Sequence, residues 1–295
     1  MISILPREAL APAQTLLASA CPFDPAARVA EEKLFGASPA PETVTLAARD
    51  GERLAGVAVV SGRWLRLLAV DPAVRRRGVG SALLAEAEAR ARGWGATRLR
   101  TGDQPGNYLA PGVDVRNQAL LHFFARHGYR EGARYENLAV PLVGNDRVTV
   151  ARAEALAGAA AARGAEVRRA RPEDTSALLT FARDAFAPAW AFEVERALGN
   201  DPPGVHIAVA GGAVVAFACH DGNNRGLGWF GPAGTAPELR GKGIGQALLI
   251  PCLVDIAAAG HTEGVIAWIG PRRFYEEAAG ARSDRSFVVL EKGLA

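Results

Sequence analysis

Two periods of apolar residues run along this chain, and they come round twice in one order. Ile2–Leu5 fits a short strand, and Pro6 opens a helix to about Ala20, proline being suited to a first helical turn. Ala26–Phe35 fits a second helix. Thr43–Ala48 and Leu54–Val60 flank the turn signal Asp50-Gly51, which predicts a hairpin. Trp64–Val70 is a further strand. The segment after it sets Leu83, Leu84, Ala87 and Ala91 on one helical face, closed by Gly93 and Gly95. Thr97–Thr101 predicts a strand, and Gly102–Val115 a loop long enough to suggest function. Arg116–His127 predicts a helix with Ala119, Leu120, Phe123 and Phe124 inward and Gly128 as its stop. Tyr129–Glu136 and Asn137–Val143 complete the half as a strand pair.

The order then returns. Val167–Ala170 predicts a strand, and Pro172 opens a helix. Val205–Ala210 and Val214–His220 form a hairpin across Gly211-Gly212, followed by the strand Leu227–Phe230. Leu248, Leu249, Cys252, Leu253 and Ile256 make the face of a helix that Pro251 can bend. Val265–Ile269, Pro271–Ala279 and Ser286–Leu290 give strand, helix and strand. Between the halves, Gly144-Asn145-Asp146 marks a boundary. The alanine-rich segment 151–162 reads as a linker helix, with or without a docking role. The expectation is an α/β fold with mixed sheets in two tandem domains, 1–143 and 166–295, joined by a linker over 144–165.

Each half carries one glycine-rich turn between a strand and a helix. Arg240-Gly241-Lys242-Gly243-Ile244-Gly245-Gln246 aligns without a gap with Arg75-Arg76-Arg77-Gly78-Val79-Gly80-Ser81. The separation of about 165 residues is far beyond solenoid periods, so the repeat is a whole domain. Such a junction suits a phosphate: glycines admit positive φ and close approach. The first amides of the new helix have no intrahelical partner, and the arginines and Lys242 add positive charge. A Walker A loop needs Ser or Thr after Gly-Lys, where Gly243 stands. A dinucleotide fingerprint needs a third glycine, where Gln246 stands.

Composition narrows the class. Among 295 residues, 49% are hydrophobic and 22% charged, enough for two cores. A net charge of +3 with no basic stripe argues against nucleic acid. Cys21, Cys219 and Cys252 are too scattered for a disulfide framework or a zinc site, so no metal is expected. The N-terminal residues lack a signal-peptide pattern and no run of about 18 apolar residues occurs. We expect a cytoplasmic protein with no membrane partner.

Arg75-x-x-Gly78-x-Gly80 and Arg240-x-x-Gly243-x-Gly245 resemble the signature of the GCN5-related N-acetyltransferase family, Gln/Arg-x-x-Gly-x-Gly/Ala, over nearly the whole chain apart from the linker. The resemblance implies two acyl-CoA-binding domains. In each, the turn would hold the pyrophosphate of acetyl-CoA, and the strand before it would splay from its neighbour to admit the pantetheine. Cofactor contacts then fall to Thr235 and Arg240 through Gln246, and to Val70 and Arg75 through Ser81. Asn117 matches an asparagine many members place near the pantetheine; Gly270-Pro271 stands there in the second half. Tyr275 matches the tyrosine that protonates the departing thiolate, where the first half has Phe124. The amide of Thr235 or Ala236 would polarise the thioester carbonyl. His220 and Asp221 are the candidate bases. Asp103 and Asp114 either bind a polar substrate or are solvated loop carboxylates.

Tyr108–Asp114 and Trp268–Tyr275 resemble strings of bacterial tandem acetyltransferases, some of which act on amino sugars. The reading is therefore an acetyl-CoA-dependent N-acetyltransferase of a small-molecule primary amine, with the C-terminal half catalytic. The alternatives are a non-catalytic CoA-sensing or interaction module and a protein-lysine acetyltransferase.

Overall fold

The structure is a computed structural model that describes residues 2–294. The chain forms two compact units. One runs to Tyr135 and includes the segment from Ser286 onward; the other is Glu136–Arg285.

The first unit contains β1 (Ile2–Ile4), α1 (Leu10–Ala20), α2 (Ala30–Phe35), β2 (Thr43–Asp50), β3 (Arg53–Ser61) and β4 (Trp64–Val70). After these come α3 (Val79–Gly93), β5 (Arg98–Thr101), β6 (Val113–Asp114), α4 (Gln118–Arg126) and the start of β7 (Arg130–Pro141). Strands β1 to β4 pair antiparallel in sequence order, and β5 lies parallel to β4. The core of this unit gathers Leu46, Ala58, Val60 and Leu65 from the sheet against Leu83, Leu84, Ala87 and Ala91, the face predicted for α3. Phe124 closes it from α4 at 2% exposure, whereas Ala119, expected inward, is exposed.

The second unit contains α5 (Val150–Ala161), β8 (Glu166–Arg169), α6 (Thr175–Ala185), α7 (Pro188–Leu198), β9 (Val205–Ala210) and β10 (Ala213–His220). Then follow β11 (Trp229–Thr235), α8 (Ile244–Ala258), β12 (Glu263–Ile266), α9 (Arg272–Ala279) and β13 (Arg282–Gly293). Strands β8 to β11 pair antiparallel and β12 lies parallel to β11, the pattern of the first unit. Alternate residues of β9 and β10 enter two cores, as a period of two requires. Ala208, Ala216 and Ala218 meet α8, while Ile207, Phe217 and Cys219 join the core that α6 and α7 supply.

Three expectations change. The strand pair over 129–143 is one strand, β7, and its second half pairs antiparallel with β12 in the second unit. The last strand is longer than Ser286–Leu290, and its second half pairs with β5 and β6 of the first unit. The compact units thus differ from the bounds 1–143 and 166–295. Alternation specifies that a segment is a strand, not which sheet takes it. The linker segment is α5, packed on α8 with Ala160 buried. Helix α8 explains this. Ile244, Leu248, Leu249, Ile250 and Leu253 are all buried, so α8 is apolar all round and needs cover on its outer side. Helix α3 is not apolar all round and exposes Arg90 and Arg92.

Candidate functional site

The two turns share one backbone shape. Arg76 and Gly241 have φ of 65° and 75°, and Gly78 and Gly243 both have φ of 83°. Left-handed conformation costs glycine nothing and a side-chain-bearing residue such as Arg76 about 1 kcal/mol. Ala82 and Ala247 donate to the carbonyls of Gly78 and Gly243. The amides before them in each helix are therefore left for an anion. The last glycine of each turn holds the next helix close. A Cβ on Gly80 would meet the Phe123 ring at 3.3 Å, and one on Gly245 the Phe274 ring at 3.4 Å.

Both parallel strand pairs open beside these turns. Strand β4 pairs with β5 only at Trp64 and Leu65, then continues to Val70. Strand β11 pairs with β12 only at Trp229 and Phe230, then continues to Thr235. The amide of Ala236 donates to Val215 O at 2.9 Å, so it is not available to a thioester carbonyl. Backbone direction alternates along a strand, so the Thr235 amide faces the opening. Val70 stands the same way, since Asp71 N donates to Ala55 O. The signature arginines brace this edge. Arg75 Nε donates to Val70 O at 3.1 Å, and Arg240 Nε to Thr235 O at 3.2 Å.

In the first unit the opening is a cavity of about 620 Å³. It brings together Val70, Arg75, Arg76, Gly78, Gly80, Ser81 and Asn117 from the expected set. Asn117 caps α4, its Oδ1 accepting from Leu120 N at 3.2 Å. The Ser81 hydroxyl bonds the His127 ring at 2.9 Å. Arg77 turns to Asp50 and Val79 packs on the core, so these two offer their backbone. Asp103 and Asp114 are not solvated. Both are buried, paired with Arg100 and Arg116 respectively. Burial pushes the Asp103 carboxyl up, against the pull of Arg100.

In the second unit Gly241, Lys242 and Gly243 are exposed, Gly245 and Gln246 half-buried, and Ile244 points its side chain into the core. Tyr275 lies where β11 leaves β12. Its ring meets Phe230, the last paired residue, at 6.2 Å between centroids, and Phe274 at 5.0 Å. Burial raises its hydroxyl to about 12, so it is held protonated at neutral pH. Among the described residues the hydroxyl takes no hydrogen bond. The sequence did not reveal Phe186, whose ring lies flat against Gly234 of β11, where a Cβ would sit 2.4 Å from it. Phe186 stacks on Trp190 at 4.9 Å and 11°.

His220 is placed otherwise. Nδ1 is 3.2 Å from Asp221 Oδ2, and Nε2, sealed from solvent, is 3.3 Å from Asp255 Oδ2. Neither ring nitrogen is offered to an incoming amine. Asp255 on α8 also bonds His206 at 2.7 Å and Arg169 at 2.7 Å. Burial alone would lower His220, but the two carboxylates raise it. Burial alone would raise Asp255, but His206, His220 and Arg169 hold it far below the usual range. A raised histidine stabilises fully below about pH 6.5 and loses that contribution as pH rises through its folded value; a depressed carboxylate stabilises above about pH 4 and loses it in acid. We expect unfolding midpoints to fall between pH 6 and 9, and less so in Asp255→Asn. Equal slopes in both proteins would contradict the assignment.

A turn of free amides at a helix start, set beside a parallel strand pair that opens, suits a phosphate-bearing carrier with an extended arm. The Acetyltransferase (GNAT) family profile matches residues 13–129 and 171–280, and the chain belongs to that family, with two such regions in tandem. No curated protein matches. Solved structures share the fold over the full chain. A tandem GNAT protein from the clavulanic acid biosynthesis pathway is 18% identical, with 100% of this chain and 99% of that one covered and a TM-score of 0.70. A GCN5-related N-acetyltransferase from Sphaerobacter thermophilus is 20% identical over 100% and 95%, TM-score 0.69. A glucosamine N-acetyltransferase region of a fungal multi-domain β-N-acetylglucosaminidase is 19% identical, TM-score 0.78; the match covers 99% of this chain but 38% of that one. Among the described residues no helix is long and apolar enough to cross a membrane.

Proposed function

We propose that the chain transfers an acetyl group from acetyl-CoA to a primary amine of a small molecule, and that the C-terminal unit carries the transfer. The observation that supports this most is Tyr275, a protonated hydroxyl with no hydrogen-bond partner among the described residues, at the point where β11 and β12 part. The amine attacks the thioester carbon, and the developing oxyanion meets the Thr235 amide. Collapse breaks the carbon–sulfur bond and Tyr275 gives its proton to the thiolate. Solvent takes the proton that leaves the amine. In the first unit the matching position is Phe124, which has no proton to give. That unit's cavity is read as a second acetyl-CoA site without turnover.

An amino sugar is the acceptor we favour. Trp190, half-buried and stacked on Phe186 by one face, is the flat apolar ring that we assign to a sugar. The test is release of free CoA thiol from acetyl-CoA with a panel of amines that includes glucosamine and lysine peptides. Release with amino sugars alone supports the reading; release only with peptides, or with none, counts against it. In that assay Arg240→Ala is expected to weaken acetyl-CoA binding by about 1–3 kcal/mol, since both its charge and the brace on Thr235 are lost. Unchanged affinity by calorimetry in Arg240→Ala and Gly243→Val would refute the C-terminal assignment.

A further inference from the structure

The C-terminal turn has a partner that the family signature does not contain. Arg163 follows α5, where the chain leaves the helix through Gly164 at φ of 84°. Ala160 and Ala165, both 4% exposed, anchor this exit, and Ala165 N donates back to Ala160 O at 3.0 Å. The exit aims Arg163 at the turn. Its Nη1 donates to Lys242 O at 2.8 Å, and it stands 3.3 Å from where a Cβ of Gly243 would be.

The bond has a directional consequence. The peptide unit is planar and trans, so its carbonyl and N–H point to opposite sides. Holding Lys242 O toward Arg163 turns the Gly243 N–H away from it. The torsions that turn this peptide belong to Lys242 and Gly243, and Gly243, at φ of 83°, resists rotation least of all residue types. Left alone, this peptide has freedom to flip and withdraw a donor from an anion. We propose that Arg163 is a positioning residue that locks the 242–243 peptide with its N–H presented to phosphate, so that the helix between the two repeats completes the C-terminal acyl-CoA site. The first unit lacks this lock: among the described residues no donor reaches the carbonyl of Arg77, which matches Lys242. The inference rests on the reading of the C-terminal turn as the acetyl-CoA site of the transfer.

The experiment compares steady-state kinetics and thermal unfolding of the full chain as wild type, Arg163→Ala, Arg163→Lys and Gly243→Val. Arg163→Ala is expected to raise KM for acetyl-CoA about tenfold, the scale of one charge-assisted hydrogen bond. Its kcat should stay within about twofold and its unfolding midpoint should not move, because the side chain is exposed. Arg163→Lys, which keeps a cationic donor, should recover most of the affinity. An unchanged KM in Arg163→Ala, with Gly243→Val still losing acetyl-CoA turnover, overturns the inference and leaves the site reading intact. A raised KM that Lys does not rescue, accompanied by a lowered unfolding midpoint, also overturns it, as a structural role. Full turnover in Gly243→Val would instead remove the site reading beneath it.

Discussion

Tyr275→Phe should lower kcat by about 10²–10⁴-fold while the protein keeps its fold and its acetyl-CoA affinity. The ring stays, and with it the edge contacts to Phe230 and Phe274. Only the hydroxyl goes, and no hydrogen bond within the described residues depends on it. The loss corresponds to roughly 3–5 kcal/mol of barrier, the difference between expelling a protonated thiol and a bare thiolate. The reverse change, Phe124→Tyr, should not transfer full activity to the first unit. That ring is 2% exposed and packed against Tyr129 and Phe123, so a hydroxyl added there is buried without a planned partner. Turnover of Tyr275→Phe within a few-fold of wild type would remove the proton-donor assignment.

Asp255→Ala should destabilise the second unit by about 3 kcal/mol, the lower end for breaking a buried ion pair, since a fifth of the Asp255 side chain is exposed. One carboxylate answers Arg169, His206 and His220, and its removal takes a partner from all three, leaving His220 to Asp221 and Arg169 to Pro203 O. These partners tie β8, β9 and β10 to α8, the helix whose first turn we assign to the phosphate. Denaturant unfolding reads the loss, and a change under about 1 kcal/mol would show that the cluster does not hold α8 in place. Asp255→Asn keeps one acceptor oxygen and should lose less. If that variant also keeps its turnover, His220 acts through folding and not as the base.

Local sequence carried both turns because their chemistry is local. Glycine at 78, 80, 243 and 245, arginine at 75 and 240, and the strand before each are contiguous. The contrast of Phe124 with Tyr275 was legible for the same reason, since a helix keeps its spacing. What escaped depends on residues far apart. Asp114 is buried where β6 pairs with β13 at Phe287, and Arg100, the partner of Asp103, is held from β13 by Glu291. Asp221 beside it is one partner of His220, but the other, Asp255, is thirty-five positions on, and nothing around His220 in sequence signals it. The exchange of β7 and β13 between units leaves every residue's alternation as it was. One distant feature did have a signal: α8 is apolar on all sides where α3 is not, and that excess required a helix such as α5 to cover it.

The central claim, that the C-terminal unit performs the transfer, is tested most directly by comparing turnover in two single-turn variants, Gly78→Val and Gly243→Val. Each forces a β-branched residue into left-handed backbone at φ of 83° and disturbs one nest of amides. Each turn lies in the open, since no atom within 4 Å meets a Cβ at Gly78 and only Arg163 does at Gly243, so folding should survive in both. Gly243→Val is expected to lose acetyl transfer and Gly78→Val to keep it. Transfer retained in Gly243→Val and lost in Gly78→Val would place the chemistry in the N-terminal unit and contradict the account.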